Sequence, residues 1–311
     1  MRRFIIRRIL QSLLIVWAVM SLSWLLIVIS PGGPAAALTE NRRVSPETIA
    51  AIRASYGLDQ PLFVQYFTWM FRVFTLDFGR SYSQTLPALQ VIGGRVGPTL
   101  QLGFVSYVIS LLGIPLGVYA ARHRGKLADK MVRVLTVLGS TMPVWWFSLL
   151  VIIILANTVK WFPQGEGTDG VGDWFLHLTI PAALLSIGGL VAFSRFVRAE
   201  TLEVLNQDYV RTANAKGLSA KQVNRWHVFR NSLLPVVTIF GYLLPTVLGG
   251  AALTETIFNW PGMGRLSVES VSQRDMPVLL ALFLIFSVLT IVGNLIADIG
   301  YSVVDPRVRY E

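Results

Sequence analysis

Six stretches of the chain are apolar for long enough to cross a bilayer. A spanning helix needs about 20 mostly apolar residues, because the hydrocarbon core is about 30 Å thick and each helical residue rises about 1.5 Å. The stretches are about Ile9 to Ile29, Thr99 to Ala121, Val134 to Val159, Trp174 to Ser194, Leu233 to Thr254 and Pro277 to Ala297, each free of Asp, Glu, Lys and Arg. His177 and Pro181 trim the fourth, with Leu178 as an alternative start. This pattern predicts an all-α integral membrane protein with six transmembrane helices.

The first stretch follows Arg2, Arg3, Arg7 and Arg8 and precedes Ala35, Ala36 and Ala37, which superficially resembles a cleavable signal. A signal peptide's apolar region runs about 7 to 15 residues. This one runs to about 21 and is expected to remain as an anchor. Basic residues then orient the chain, because Lys and Arg concentrate in cytoplasmic loops. The N-terminus, the second and fourth connections and the C-terminus carry 18 of them, and the remaining connections carry 9. Six of those nine lie in the long first loop, where charge has little influence on translocation. Both termini are therefore expected inside.

That first loop, about 65 residues from Pro31 to Pro98, has helical patterns at Pro46 to Tyr56 and Leu62 to Phe74. Ser45 followed by Pro46 reads as an N-cap and first helical position, and Gly57 as a stop. Seven aromatics between Tyr56 and Phe74 point to packing against the membrane surface or a protein partner. The fourth connection reads as two short helices. Leu202 to Lys216 sets Leu205, Tyr209, Val210 and Ala213 on one face, and Gly217 supplies a left-handed stop. Ser219 with Gln222 three positions on is a capping-box pattern. It opens a second helix presenting Val223, Trp226, Phe229 or Arg230, and Leu233, until Pro235. Such a hairpin is either a docking element or an amphipathic unit lying on the headgroups.

Composition narrows the chemistry. The chain is 53% hydrophobic and 14% charged, against about 25% charged in soluble proteins, which argues against an ordinary soluble enzyme or a disordered chain. Its net charge of +10 divides by expected side into +11 inside and −1 outside. The excess is therefore a mark of orientation rather than a nucleic-acid surface. There is no Cys, and His123 and His227 are expected on the opposite side from His177, so a metal site is not expected. No phosphate-cradling Gly-x-x-x-x-Gly-Lys-Ser/Thr run occurs, so any ATP must be hydrolysed elsewhere. Uncharged spans also argue against an ion-coupled secondary transporter working alone. Glu255 and Asp298 stand only at span ends. Glu255 reads either as a gate or pathway carboxylate or as a helix-end group facing headgroups.

The run Gln207-Asp208-Tyr209-Val210-Arg211-Thr212-Ala213-Asn214-Ala215-Lys216-Gly217-Leu218-Ser219, followed by Arg230-Asn231-Ser232-Leu233-Leu234-Pro235, resembles the cytoplasmic coupling loop of ABC importer permeases. It is most similar to the first-type permease of the dipeptide and oligopeptide (and nickel) branch. Matching blocks continue at Tyr56 to Pro61, Leu76 to Ser81, Ser140 to Trp146, Glu255 to Gly264 and Asp305 to Arg307, so the resemblance covers nearly the whole chain. Arg211, Thr212 and Ala213 occupy the acidic-Ala-Ala positions of the general motif, as is usual in the peptide branch. Gly33 stands where the family commonly has Asp, and Leu76 where it commonly has Gly.

The resemblance implies a type I importer fold and a subunit of the prokaryotic plasma (inner) membrane. It further implies a second homologous permease, two ATPases using ATP and Mg, and an extracytoplasmic substrate-binding protein. No cofactor and no catalytic residue would belong to this chain. Asp208, Tyr209, Arg211, Thr212, Ala213, Lys216, Gly217, Arg230, Asn231 and Pro235 would form the ATPase-coupling loop. Glu255, Trp260, Pro261 and Gly262 are candidates for an outer gate or pathway. The implied organisation is residues 1–30 (tip and first span), 31–98 (extracytoplasmic loop), 99–302 (core, with the coupling loop at 202–233) and 303–311 (tail). Peptides are the expected cargo, with nickel, glutathione and oligosaccharides as alternatives within the same architecture.

Overall fold

The computed structural model describes residues 2–29, 59–155, 171–219, 222–229 and 251–304, together with Glu47, Ser232 and Val236. Among these residues the structure is helical, with a lone bridge between Arg80 and Pro87. The expected fifth span lies almost entirely outside the described residues, as do the Pro46 to Tyr56 helix, Gly33 and the tail from Asp305.

The elements in order are α1 (Arg2–Ile29), α2 (Leu62–Phe74), α3 (Ala88–Ser110), α4 (Gly113–Arg122), α5 (Leu127–Thr141), α6 (Val144–Ile154) and α7 (Val171–Leu205). There follow α8 (Asp208–Ala215), a π-helix (Val223–Phe229), α9 (Ala252–Ile257), α10 (Met263–Ser272) and α11 (Met276–Val304). Among the described residues three units are long and apolar enough to cross a membrane: Ala88–Arg122, His177–Leu205 and Met276–Ile296. The apolar part of α1, Leu10–Leu26, stands at the lower limit of about 17 residues.

Three sequence-based boundaries change. The second span begins at Ala88 rather than Thr99, because Pro98 is accommodated inside α3. The third is not one helix from Val134 to Val159: α5 and α6 meet at 100°. Proline confines the residue before it to extended backbone and brings no N–H of its own. Met142 accordingly has φ −92° and ψ 125°, and Pro143 opens α6. The fourth runs on well past Ser194, as α7 extends to Leu205 and takes in Arg195 and Arg198.

Packing fixes how the helices run. Leu102 of α3 clusters with Leu178 and Ala182 of α7. Further along, a Cβ on Gly113 would overlap the Leu190 carbonyl, and one on Gly117 would press on Ser194 and Arg198. The α3–α4 unit and α7 are therefore parallel, with their backbones almost touching through the small residues. Met20 of α1 packs with Leu284 of α11, while Arg8 and Gln11 lie beside Asn294 and Leu295, so these two helices are antiparallel. The N-terminal end of α1 and the C-terminal ends of α7 and α11 thus gather at one end of the bundle. Residues 76–87 and 255–275 gather at the other, around a core of Ala88, Ile92, Met263, Leu266, Val278 and Leu282.

Helix α2 forms at Leu62–Phe74 as its pattern predicts. Tyr66, Trp69, Met70 and Val73 pack toward α1 and α11, and the Tyr66 and Ser21 hydroxyls are 2.7 Å apart. Phe63, Phe67, Phe71 and Phe74 face outward.

Candidate functional site

At one end of α7 the chain turns into a compact hairpin. The expected single helix from Leu202 to Lys216 is divided at Asn206 and Gln207: Leu202 to Leu205 complete α7, and α8 starts at Asp208 after extended Gln207. Helix α8 ends in a Schellman motif, with the Gly217 N–H donating to Asn214 O (3.0 Å) and the Leu218 N–H to Ala213 O (3.4 Å). Gly217 has φ +77°, the left-handed conformation expected of it, and open space around its Cβ position. The capping box also forms: the Ser219 N–H donates to Gln222 Oε1 (3.0 Å), and the Gln222 N–H reaches Ser219 Oγ (3.4 Å).

The faces of the hairpin differ from the sequence pattern. Val204, Val210, Ala213, Val223 and Val228 form its core, with Leu205 against them. Tyr209 faces out, as do Trp226 and Phe229. A helical period of 3.6 places Trp226 beside Val223, but the segment is π-helical and brings Val228, five residues on, to the buried side. Asp208, Arg211, Thr212, Lys216 and Gly217 are exposed, and Ala213 is buried. Asp208 and Arg211 approach to 3.6 Å with both side chains in the open, so that pair adds little stability. Arg230, Asn231 and Pro235 lie outside the described residues. The outer surface of the hairpin thus combines Tyr209, Leu218, Trp226 and Phe229 with Arg211 and Lys216. Apolar and aromatic residues rimmed by charge have the character of an interaction surface, toward a protein or toward lipid headgroups.

Two further residues, not singled out in the sequence, brace this end. Asp129, 1% exposed, receives Arg198 Nε (2.7 Å) and Nη2 (3.1 Å) and the Gly125 N–H (3.0 Å). The bidentate pair joins the start of α5 to α7, two turns before the hairpin. Its partners are 69 positions apart, so no local spacing announces it.

At the opposite end Glu255 is 0% exposed and does not face headgroups. Thr99 Oγ1 donates to its Oε1 (3.0 Å) and the Arg265 N–H to its Oε2 (2.9 Å). Thr99 in turn accepts the Met263 N–H (2.7 Å), and Trp260 Nε1 donates to Pro98 O (2.9 Å). Gly262 packs directly on the carboxylate, with no room for a Cβ. Glu255, Trp260 and Gly262 thus lock the turn after α9 onto α3, with Pro261 between the last two. Beside them Asp275, also 1% exposed, accepts Ser83 Oγ (2.8 Å) and the Tyr82 (3.1 Å) and Ser83 (3.3 Å) N–H groups, together with the Ser81 hydroxyl. Two matching sequence blocks, Leu76 to Ser81 and Glu255 to Gly264, therefore lie in one packed module. Leu76 has φ +58°, which explains why a glycine suits this position.

A helical bundle with bilayer-length apolar helices, a compact hairpin with an aromatic and basic outer side at one end and a buried carboxylate clasp at the other is the build of a multi-pass membrane protein. The family described as the binding-protein-dependent transport system inner membrane component matches residues 113–310, and its N-terminal membrane component matches residues 1–102. The oligopeptide transport system permease protein AppB of Bacillus subtilis is 39% identical over 317 residues, covering 100% of both chains. A putative peptide transport system permease protein of Brucella abortus is 37% identical over 315 residues, again with full coverage of both. A probable peptide ABC transporter permease protein of Sinorhizobium fredii is 34% identical over 311 residues, with 99% of each chain covered. The chain belongs to the binding-protein-dependent transport system inner membrane component family. It is a multi-pass inner-membrane permease, a transport subunit rather than an enzyme.

Proposed function

We propose that the chain is one of two permease subunits of an ATP-driven importer that carries di- and oligopeptides delivered by an extracytoplasmic binding protein. The names of the full-length relatives support the peptide cargo. The observation that carries the coupling reading is the hairpin itself, a small core with an exposed aromatic and basic surface at the tip of the 35-residue α7. A long helix ending in such a head acts as a lever. Partner ATPases would hold the hairpin through Tyr209, Arg211, Thr212, Lys216 and the segment 230–235, and their ATP- and Mg-dependent closure would move α7.

Six spans with both termini cytoplasmic fit this arrangement, because the gathered ends of α1, α7 and α11 form the hairpin side. The organisation into an anchor (1–30), extracytoplasmic loop (31–98), core (99–302) and tail (303–311) follows from the same topology. The core would share a translocation path with the second permease by alternating access. Glu255, Trp260, Pro261 and Gly262 would hold its outer gate in the closed arrangement.

The test uses the complete importer in proteoliposomes. Gly217→Trp keeps the subunit assembled but forces a bulky residue into the left-handed corner, at a cost of about 1–2 kcal/mol. ATP hydrolysis should continue while peptide uptake per ATP falls. A cysteine at exposed Thr212 or Ala215 should crosslink to an ATPase subunit; buried Ala213 is a poorer site. Normal coupled uptake by Gly217→Trp, with no crosslink from either position, would overturn the docking role.

A further inference from the structure

Because α6 turns away from α5 by 100°, part of the apolar face of α7 borders open space among the described residues. The space between is a cavity of about 560 Å³, walled by Leu135, Leu138, Met142, Phe147, Ile187 and Leu190. It meets a second cavity of about 300 Å³, with Val132, Thr136 and Ser194 lining both. The second cavity opens among Arg133, Arg195 and Arg198.

The charges at this mouth do not cancel. The Asp129 carboxylate is committed to Arg198 and to the Gly125 N–H. Arg133 stands 3.8 Å from Asp129, at the edge of an ion pair, with its side chain 54% exposed. Arg195 is exposed and has no carboxylate partner among the described residues. Glu200, the next acid along α7, is about 140° around the helix from Arg195. Arginine at the mouth and hydrocarbon below call for a ligand with an anionic head and an apolar tail.

We propose that this groove holds one anionic phospholipid, with its phosphate at Arg133 and Arg195 and an acyl chain in the elbow between α5, α6 and α7. From Arg198 back to Ala183 the groove follows α7 for about 22 Å, at about 1.5 Å per residue. One leaflet of the hydrocarbon core is about 15 Å deep, so the groove is long enough for a whole chain. Its volume also lies within the usual range for small-molecule sites, about 300–1,000 Å³. The inference rests on the chain being a membrane permease with these arginines at the inner edge of the bilayer.

Native mass spectrometry of the complete importer, equilibrated with palmitoyl-oleoyl phosphatidylglycerol or the matching phosphatidylcholine, tests the site. Two arginines at a membrane surface give an expected preference for phosphatidylglycerol of about thirtyfold. The double variant Arg133→Gln/Arg195→Gln should lower it to less than about threefold. Ala183→Trp, which fills the groove from an exposed position, should release the lipid with the arginines intact. Equal binding of the two lipids by the unaltered importer, an unchanged preference in the double variant, or undiminished lipid binding in Ala183→Trp would overturn the proposal. So would a dihexanoyl phosphatidylglycerol bound as well as the long-chain lipid, or displacement by inorganic phosphate alone, since both dispense with the acyl groove. A crosslink from Leu135→Cys to the second permease would assign the groove to protein and overturn it as well. ATP-driven uptake is measured alongside. Intact uptake without lipid preference refutes only the lipid site, and no uptake by the unaltered importer refutes the permease reading.

Discussion

Glu255 and Gly262 should be coupled strongly enough to measure. Glu255→Ala leaves two donors, the Thr99 hydroxyl and the Arg265 amide, without their acceptor in a site shut off from solvent. Each orphaned donor costs about 1–3 kcal/mol, so a loss of about 3 kcal/mol is expected. Gly262 has φ −98° and ψ 177°, extended backbone that alanine adopts freely. The penalty for Gly262→Ala therefore comes from overlap with the Glu255 carboxylate, the group its three nearest atoms belong to. Overpacking of this kind costs about 1–3 kcal/mol. In a Glu255→Ala background that obstacle is gone, and Gly262→Ala should cost close to nothing, giving a coupling of about 2 kcal/mol. Gly264→Ala is the control, since its Cβ would also meet the backbone of Ala252 and should not be rescued. Hydrogen exchange at the Met263 and Arg265 amides reads the opening of the clasp directly. About 3 kcal/mol corresponds to on the order of hundredfold faster exchange in Glu255→Ala. Penalties for Glu255→Ala and Gly262→Ala that add within about 0.5 kcal/mol would refute the clasp.

Asp275→Ala should free residues 81–83 from α11 while leaving the rest of the bundle folded. The Tyr82 and Ser83 amides should then exchange about tenfold faster or more, and unchanged exchange would show that Asp275 does not hold this segment. Leu76→Gly relieves a left-handed leucine, worth about 1–2 kcal/mol, against about 0.5–1 kcal/mol of added chain entropy on unfolding. Because Leu76 is largely exposed, the variant should melt at the same temperature or higher, whereas Leu76→Ile should melt lower. A clear destabilisation by glycine would contradict the strain seen at φ +58°.

Much of the hairpin could be read locally because its signals are local. Gly217 as a helix stop and Ser219 with Gln222 as a capping box depend only on neighbours within one turn. Its faces were harder to read. The 3.6-residue period puts Trp226 on the apolar side, and the π-helix at Val223–Phe229 changes that period. Tyr209 belongs to α8, which restarts at Asp208 after the break at Asn206 and Gln207, so the pattern running on from Leu202 does not carry through to it. The break at Met142 and Pro143 had a visible signal in the proline, yet an unbroken apolar run concealed it. Asp129 with Arg198, Asp275 with Ser81 and Ser83, and Thr99 with Glu255 had no signal of this kind. Each joins residues from 69 to 194 positions apart.

The sequence by itself determined that this is a helical membrane protein of a transport family, because bilayer length, charge bias and terminal motifs are properties of contiguous residues. It also placed the hairpin after α7 and its glycine corner. Only the tertiary structure decided what the +10 chain does with its few buried acids. Burying a carboxylate is costly unless donors surround it, and those donors come from whichever helices pack alongside. That is why Glu255, whose role the sequence left open, appears in the fold as a clasp rather than a group facing headgroups. The same dependence on packing explains why Asp129 and Asp275, inconspicuous in the chain, fasten its two ends.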